Sequence, residues 1–423
     1  MSELLLHRRG LLAHAASLGS TRVLTLFLGV AGSIFVARAL SLESRGLYAL
    51  VTTTAMLGIQ FGTLGLPAAN TYLISNYQRL SQGVLANTTL WFIGSMIAIA
   101  IVECVLALTV PSLSWLWSSM GLAVLAIAGT GLSLQLIQSI LMGQLKIGSN
   151  NIADLIARIG TVGAMGLLWL SDAASVGTYV TSIAVMTGIS VIYATRSTKI
   201  PIRPSAIDML VVKRQMKIGM RSYIACLLSA WTLIPTYTVE ARSGAEHLAY
   251  YHQAAQICMM ALIVPVALGT VLYPRLGQIK AISDRVRITL YSFKLSIITM
   301  VVMVAGILLT SPWIIPFIYG ERYEPSVALL MYMTPGVFGL GLCTVTQNSL
   351  FANGYPWMSI VPPAIGLFVM IVGLTLFTSL QAAAWSYSAS GVSMSIASFA
   401  TWWCYRHAID QNGLELEKSR TPS

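Results

Sequence analysis

The sequence predicts an all-α membrane protein of about twelve transmembrane helices, and three observations carry that reading. First, the 423 residues are 56% hydrophobic and only 9% charged, against about 25% charged in ordinary soluble domains. Second, the mean hydropathy of +0.76 comes from repeated uncharged stretches of about 20 residues, each long enough to cross a hydrocarbon core. They are too many to bury in one soluble core. Third, the basic residues are distributed unevenly between alternate connections, as positive-inside topology requires.

Uncharged runs place helices over 17–40, 46–75, 83–110, 118–143, 153–171 and 175–195, and again over 218–239, 247–273, 288–311, 326–352, 357–378 and 381–404. Long unbroken runs argue against barrel strands, which alternate over about ten residues. Arg8 and Arg9 precede an apolar stretch that continues past Val36. That is too long for a cleaved signal and reads as an uncleaved first helix. With the N-terminus inside, all of the 25 Lys and Arg except Arg38, Arg45, Arg242 and Arg322 fall on the cytoplasmic side. The expected topology is N-in/C-in. The net charge of +11 is then chiefly a topology signal, with attraction to anionic headgroups as a second effect. No soluble basic domain is present to bind nucleic acid. Cys104, Cys226, Cys258, Cys343 and Cys404 all lie in or at the ends of apolar helices, unpaired at metal-ligand spacing. They read as small packing residues, and no metal or cofactor is expected.

The largest charged break divides the chain. An N-terminal six-helix lobe (1–195) is followed by a basic cytoplasmic linker (196–217), a second six-helix lobe (218–404) and a polar cytoplasmic tail (405–423). Ser205 with Asp208 resembles a capping box, so the linker reads either as a short interfacial helix or as a solvated segment. The halves echo each other. The segment from Ala37 through Arg45, Gly46 and Tyr48 parallels Glu240 through Gly244 to Tyr250 and Tyr251, and Gln138-Ser139-Ile140-Leu141 parallels Gln347-Asn348-Ser349-Leu350. Equal parity makes this a parallel repeat, an arrangement found among transporters with the site between the halves.

The segment Ser17-Leu18-Gly19-Ser20, the stretch Val36-Ala37-Arg38-Ala39-Leu40 to Gly46-Leu47-Tyr48, and Phe317-Ile318-Tyr319-Gly320-Glu321-Arg322-Tyr323 resemble the oligosaccharide flippases of the multidrug/oligosaccharidyl-lipid/polysaccharide superfamily. The resemblance implies two six-helix lobes around a central cavity in the bacterial inner membrane. It also implies movement of polyprenyl-pyrophosphate-linked oligosaccharide, an O-antigen or exopolysaccharide precursor, from the cytoplasmic to the periplasmic leaflet. Membrane lipids and the polymerase and other polysaccharide-assembly proteins are the expected partners.

A lipid diphosphate needs cations in the cavity wall, and arginine holds phosphate oxygens in a permanently charged fork. Arg22 begins a polar stripe with Thr25, Gly29 and Ser33, while Arg221 leads into Ala225 and Ser229 in the corresponding helix of the second half. Arg275, after Pro274, and Arg158, one turn into helix five, are further candidates. For each, a headgroup anchor is the competing role. Glu103 is the clearest carboxylate inside an apolar helix and a candidate for ion coupling, with snorkelling as its alternative. Gln60, Thr63, Pro67 and Asn70 form one face of helix two, and Pro67 permits a bend. Gln135 with Gln138, and Gln347 with Asn348, occupy matching zones of helices four and ten. Such groups can bind sugar hydroxyls or hydrogen-bond between helices. Trp115, Trp117, Trp313, Trp402 and Trp403 read as an interfacial aromatic belt.

No phosphate-cradling glycine loop or soluble catalytic constellation occurs, so the chain is not expected to be an enzyme. A multidrug or cation antiporter of the same superfamily would need a carboxylate where helix one carries Arg22. A membrane glycosyltransferase or polymerase would need a large external loop, and the longest here spans roughly 311–326. Lipid II flippases usually carry two more helices.

Overall fold

The computed structural model describes residue 21 and residues 24–201, 207–279, 282–352 and 356–418. Arg22 lies outside the described residues, as do the side chains of Arg221 and Arg275. The chain is all-α. Fourteen α-helices run in order among the described residues: α1 (Leu24–Ala39), α2 (Leu42–Gly62), α3 (Leu66–Asn76), α4 (Ser81–Thr109), α5 (Ser119–Gly143), α6 (Ile147–Leu170), α7 (Val176–Thr198), α8 (Met209–Leu228), α9 (Ile234–Met260), α10 (Ile263–Gln278), α11 (Ile282–Tyr319), α12 (Pro325–Ala352), α13 (Val361–Leu376) and α14 (Leu380–Lys418). Seven of them are long and apolar enough to cross a membrane, or nine spans if the bent pairs α2–α3 and α9–α10 each count as one.

Both expected second helices are broken. α2 and α3 meet at 46°, and α9 and the start of α10 at 47°. Proline follows each break, Pro67 in α3 and Pro265 in α10, where the missing N–H of an early helical position is tolerated. A 3-10 turn over Ser229–Leu233 separates α8 from α9, and Gly244, with φ of +87°, breaks the helix inside α9 between the expected helices seven and eight. Ser41 stands at the matching place in the first half and caps α2 through Ser44 N at 3.2 Å.

Contacts divide the chain into two compact units, Met1–Ala249 and Tyr250–Ser423. The same helix pairs pack inside each unit: α5 on α7 and α12 on α14, α6 on α7 and α13 on α14, α3 on α5 and α10 on α12. The packing pattern thus repeats between the two units. The first unit also takes in α8 and α9 up to Ala249. The expected linker therefore shortens. Residues 196–198 end α7, and from Met209 the chain is already helix α8. Asp208 caps it, its Oδ1 accepting from Leu210 N at 2.8 Å, while Ser205 lies outside the described residues. Along α8, Val211, Gln215 and Gly219 are buried and Lys213, Arg214 and Lys217 exposed, an amphipathic spacing of four.

In the first unit a core of Val36, Val51, Ala55, Val124, Ala128, Tyr179 and Val180 joins α1, α2, α5 and α7. Serines and a capping box close the helix ends. Ser118 accepts from Met120 N at 3.2 Å, and Ser175 and Thr178 cap each other's backbone at the start of α7. At the other end of α7, the Lys146 ammonium donates to the carbonyls of Ser197 at 2.9 Å and Thr198 at 2.8 Å, the latter shared with Gln144 Nε2 at 3.2 Å, a cation placed on a helix C-terminus.

In the second unit α12 and α14 approach through Gly336, Gly339 and Gly391, where an added Cβ would overlap facing backbone. Small residues let helices in lipid come this close. Ser388 accepts from Gly336 N at 3.1 Å and donates to Tyr332 O. Among the tryptophans, Trp117, Trp313 and Trp403 are exposed, as a belt requires. Trp402 corrects the expectation. It is 3% exposed and donates to Ser349 Oγ at 3.1 Å, because an inward-facing indole N–H needs an acceptor.

Replacing Lys146 with methionine removes the ammonium from two terminal carbonyls of α7, leaving Thr198 O with Gln144 Nε2 alone. The expected result is a loss of about 1 kcal/mol of stability, read as a lower thermal midpoint of the detergent-solubilised protein, with Lys146→Arg retaining most of it.

Candidate functional site

The broken second helix organises the polar groups of the first unit. At the break, Leu64 and Gly65 take positive φ of 47° and 72°, and Leu66 N turns back to Thr63 O at 2.8 Å. Regular helix would have joined Phe61 O to Gly65 N and Gly62 O to Leu66 N, so both carbonyls lose their partners. Each finds a hydroxyl. Ser95 of α4 donates to Gly62 O at 2.9 Å, and Tyr223 of α8 donates to Phe61 O at 2.9 Å. Gly65 and Gly219 bring α3 and α8 into backbone contact, where a Cβ on Gly65 would overlap the Gly219 carbonyl.

Five residues beyond Gly65 lies a fully enclosed amide pair. Asn70 and Gln215 are both 0% exposed. Gln215 Nε2 donates to Asn70 Oδ1 at 2.9 Å and to Thr88 Oγ1 at 3.3 Å, while Asn70 Nδ2 donates to Ser139 Oγ at 3.1 Å. The network joins α3, α4, α5 and α8. Asn87 extends it to the start of α8, donating to Asp208 O at 3.1 Å and accepting from Asp208 N at 3.3 Å.

Toward the other end of α2, Thr54 Oγ1 and Tyr237 Oη lie 2.9 Å apart. Glu103 of α4 is within electrostatic range of the Tyr237 hydroxyl. It is 8% exposed, with Oε1 buried and unbonded, so it faces inward rather than snorkelling. At the start of α2, Arg45 is 0% exposed and sits over the Tyr48 ring at 5.3 Å. Sequence placed it in an outer loop. Arg158 of α6 is exposed yet also within electrostatic range of Tyr48. Gly46 packs on the Ala245 carbonyl. From Asp208 to Ala245 the chain thus follows α2, α3 and α4 through one polar seam.

The candidates from sequence sort as follows. Asn70 serves the enclosed network, so the interhelical role is the one its bonds display. Gln60 is partly buried, its Oε1 without a hydrogen bond among the described residues. Gln138 and Gln347 are partly buried at matching levels of α5 and α12. Their neighbours differ in use: Ser139 meets Asn70 and Thr71 of α3, while Asn348 lies against Gly269 of α10. Arg22, Arg221 and Arg275 have no described side-chain geometry. Gln215, Tyr223, Ser95 and Tyr237 were missed by sequence reasoning. The buried spacing of Val211, Gln215 and Gly219 was the one available signal.

An all-α chain with many apolar spans, broken second helices and a polar seam inside one unit has the make-up of a multi-pass membrane protein. A family model described as polysaccharide biosynthesis protein matches residues 11–280, and the chain belongs to that family. No curated protein sequence matches it significantly. Among solved structures, the inward-facing conformation of a multidrug resistance MATE family transporter of the MOP superfamily aligns with a TM-score of 0.74 at 15% identity, covering 92% of this chain and 96% of that one. An outward-facing MATE structure gives 0.63 at 14% identity, covering 94% and 95%. A MOP superfamily transporter from Pyrococcus furiosus, described as having a binding pocket of reverse polarity, gives 0.64 at 15%, covering 94% and 95%. At these identities the likeness establishes the fold.

Tyr223→Phe removes the donor to Phe61 O and is expected to cost roughly 1 kcal/mol. Gln215→Leu removes two bonds, leaving Asn70 Oδ1 with Thr88 Oγ1 at 3.3 Å as its donor, and should cost more, roughly 2 kcal/mol. A double-mutant cycle of Gln215→Leu with Asn70→Leu, read by unfolding in detergent, should return a coupling energy above 0.5 kcal/mol; additive losses would mean the bond contributes nothing.

Proposed function

We propose that the protein is a flippase for polyprenyl-pyrophosphate-linked oligosaccharide, carrying it from the cytoplasmic to the periplasmic leaflet of the bacterial inner membrane by alternating access. The observation that supports this reading most is the coincidence of a polysaccharide biosynthesis family match over residues 11–280 with a transporter fold. Polysaccharide precursors built on a lipid diphosphate inside the cell must cross the bilayer, and a chain made of spanning helices is suited to that step. Arg22 and Arg221, with Arg158 and Arg275, are the proposed diphosphate contacts, and Gln60, Gln138 and Gln347 the proposed sugar contacts. Asn70 is proposed to act from within the seam rather than by touching sugar. Glu103, enclosed beside Tyr237, is the proposed coupling carboxylate. Moving about two negative charges outward across roughly 100 mV gains on the order of 4–5 kcal/mol, so membrane potential is a sufficient drive without a nucleotide.

Cells lacking the gene should accumulate lipid-linked oligosaccharide on the cytoplasmic leaflet. Wild type should restore export, and Arg22→Ala and Arg221→Ala, checked for membrane level, should fail. Rescue by both variants would discard the arginine assignment and keep the flippase. No accumulation, with sensitivity to cationic drugs instead, would replace the flippase by an antiporter. In proteoliposomes, flipping should quicken when the potential favours outward movement of anions, and indifference to potential would remove that drive.

A further inference from the structure

Outside the seam, the second unit carries a groove of about 400 Å³ between α10 and α11. Leu268 and Leu272 of α10 form one wall; Ile288, Tyr291 and Leu295 of α11 form the other, with Arg287 and Ser292 completing the lining. It lies near the connection between the two helices, where Arg285, Arg287 and Lys294 gather. Such a basic cluster marks the cytoplasmic interface.

The two arginines on the first turns of α11 are used differently. Arg285 Nε donates to Ile279 O at 2.6 Å, closing the C-terminal end of α10. Arg287 is exposed, lines the groove, and has no protein partner among the described residues. Lys294, two turns along α11, is exposed, and Tyr291 is 67% exposed. A guanidinium and two hydroxyls above an apolar cleft match one phosphate above an acyl chain. Arg287 is the one cation in the groove lining among the described residues, and one cation suits a monoanionic phosphodiester better than a diphosphate bearing sugars, which would need more positive charge and more polar surface.

We propose that the groove between α10 and α11 is a binding site for an anionic phospholipid of the inner leaflet, with the phosphate on Arg287 and one acyl chain between Leu268, Leu272, Ile288 and Leu295. Arg275, proposed above as a diphosphate contact, lies on the same α10 three residues after Leu272, so lipid and cargo are distinguished by competition. Because Arg287 is exposed, its replacement leaves the packing of α11 intact.

The test uses the full-length protein in nanodiscs containing phosphatidylglycerol or phosphatidylcholine with a photoreactive acyl chain, followed by mapping of the labelled peptides. The peptide spanning α10 and the start of α11 should be labelled roughly fivefold more by phosphatidylglycerol, the preference one basic residue near the surface supplies. Arg287→Gln should remove the preference, Arg287→Lys should keep most of it, and Lys294→Gln should leave it, with every variant monodisperse on gel filtration. Equal labelling by the two lipids, or a preference that survives Arg287→Gln, would overturn the site. Displacement of the probe by polyprenyl diphosphate at lower concentration than by unlabelled phosphatidylglycerol would also overturn it and give the groove to the cargo.

Discussion

A backbone carbonyl in hydrocarbon has no water to bond, so any interruption of a spanning helix must be answered by protein. The break at Thr63–Gly65 frees two carbonyls, and the hydroxyls of Ser95 and Tyr223 reach them. Much else in the first unit follows from that need. Tyr223 can reach Phe61 only if α8 lies against α3, and α8 lies there because Gly65 and Gly219 allow backbone contact. Once the helices are this close, Gln215 and Asn70 are sealed from lipid and must satisfy each other. The bend, the close approach and the enclosed amides are one structural solution.

The helices themselves were plain in the sequence, because a run of about 20 uncharged residues has few alternatives in a membrane protein. Pro67 signalled a bend, but the turn falls before it, at Leu64 and Gly65, since the proline's own position is an early helical one. Pro265 does the same in α10 and carried equal information. The polar residues were harder. Helical spacing put Asn70 on a face with Gln60 and Thr63, yet spacing cannot say whether a face meets a cavity or another helix. Gln215 stood among Lys213, Arg214 and Lys217 and read as linker; only the position of α8 against α3 reveals that it is the most enclosed residue of that stretch. The central question of the site, what Arg22 and Arg221 meet, is one that helical period alone leaves open.

Arginine takes several environments in this chain, and charge count alone does not separate them. Arg45 is enclosed over the Tyr48 ring, where a delocalised, weakly hydrated cation can be accommodated. Arg285 closes a helix end, and Arg287, two residues later, faces outward. A positive-inside count treats Arg45 as one of four exceptions on the outer side. Its burial accounts for the exception: a residue held inside the fold near a helix start is set by packing and has little weight in the charge balance of a loop.

The energetics of the seam bear on the transport step proposed above. Five residue pairs bind the stretch from Asp208 to Tyr237 to helices two and three: Asn87 with Asp208, Asn70 and Thr88 with Gln215, Phe61 with Tyr223, and Thr54 with Tyr237. Hydrogen bonds between membrane helices average about 0.6 kcal/mol each, so the five together contribute roughly 3 kcal/mol. With Tyr237 on α9, the share acting on α8 is about 2.4 kcal/mol, enough to favour one packing of it by roughly fiftyfold. It is also no larger than the roughly 4–5 kcal/mol that two charges draw from a membrane potential of about 100 mV. A seam built from one strong buried ion pair would lack this property, because separating such charges in hydrocarbon costs several kcal/mol per ion. Neutral amides and hydroxyls, each modest, hold the helix in place while leaving its release within reach of the proposed driving force.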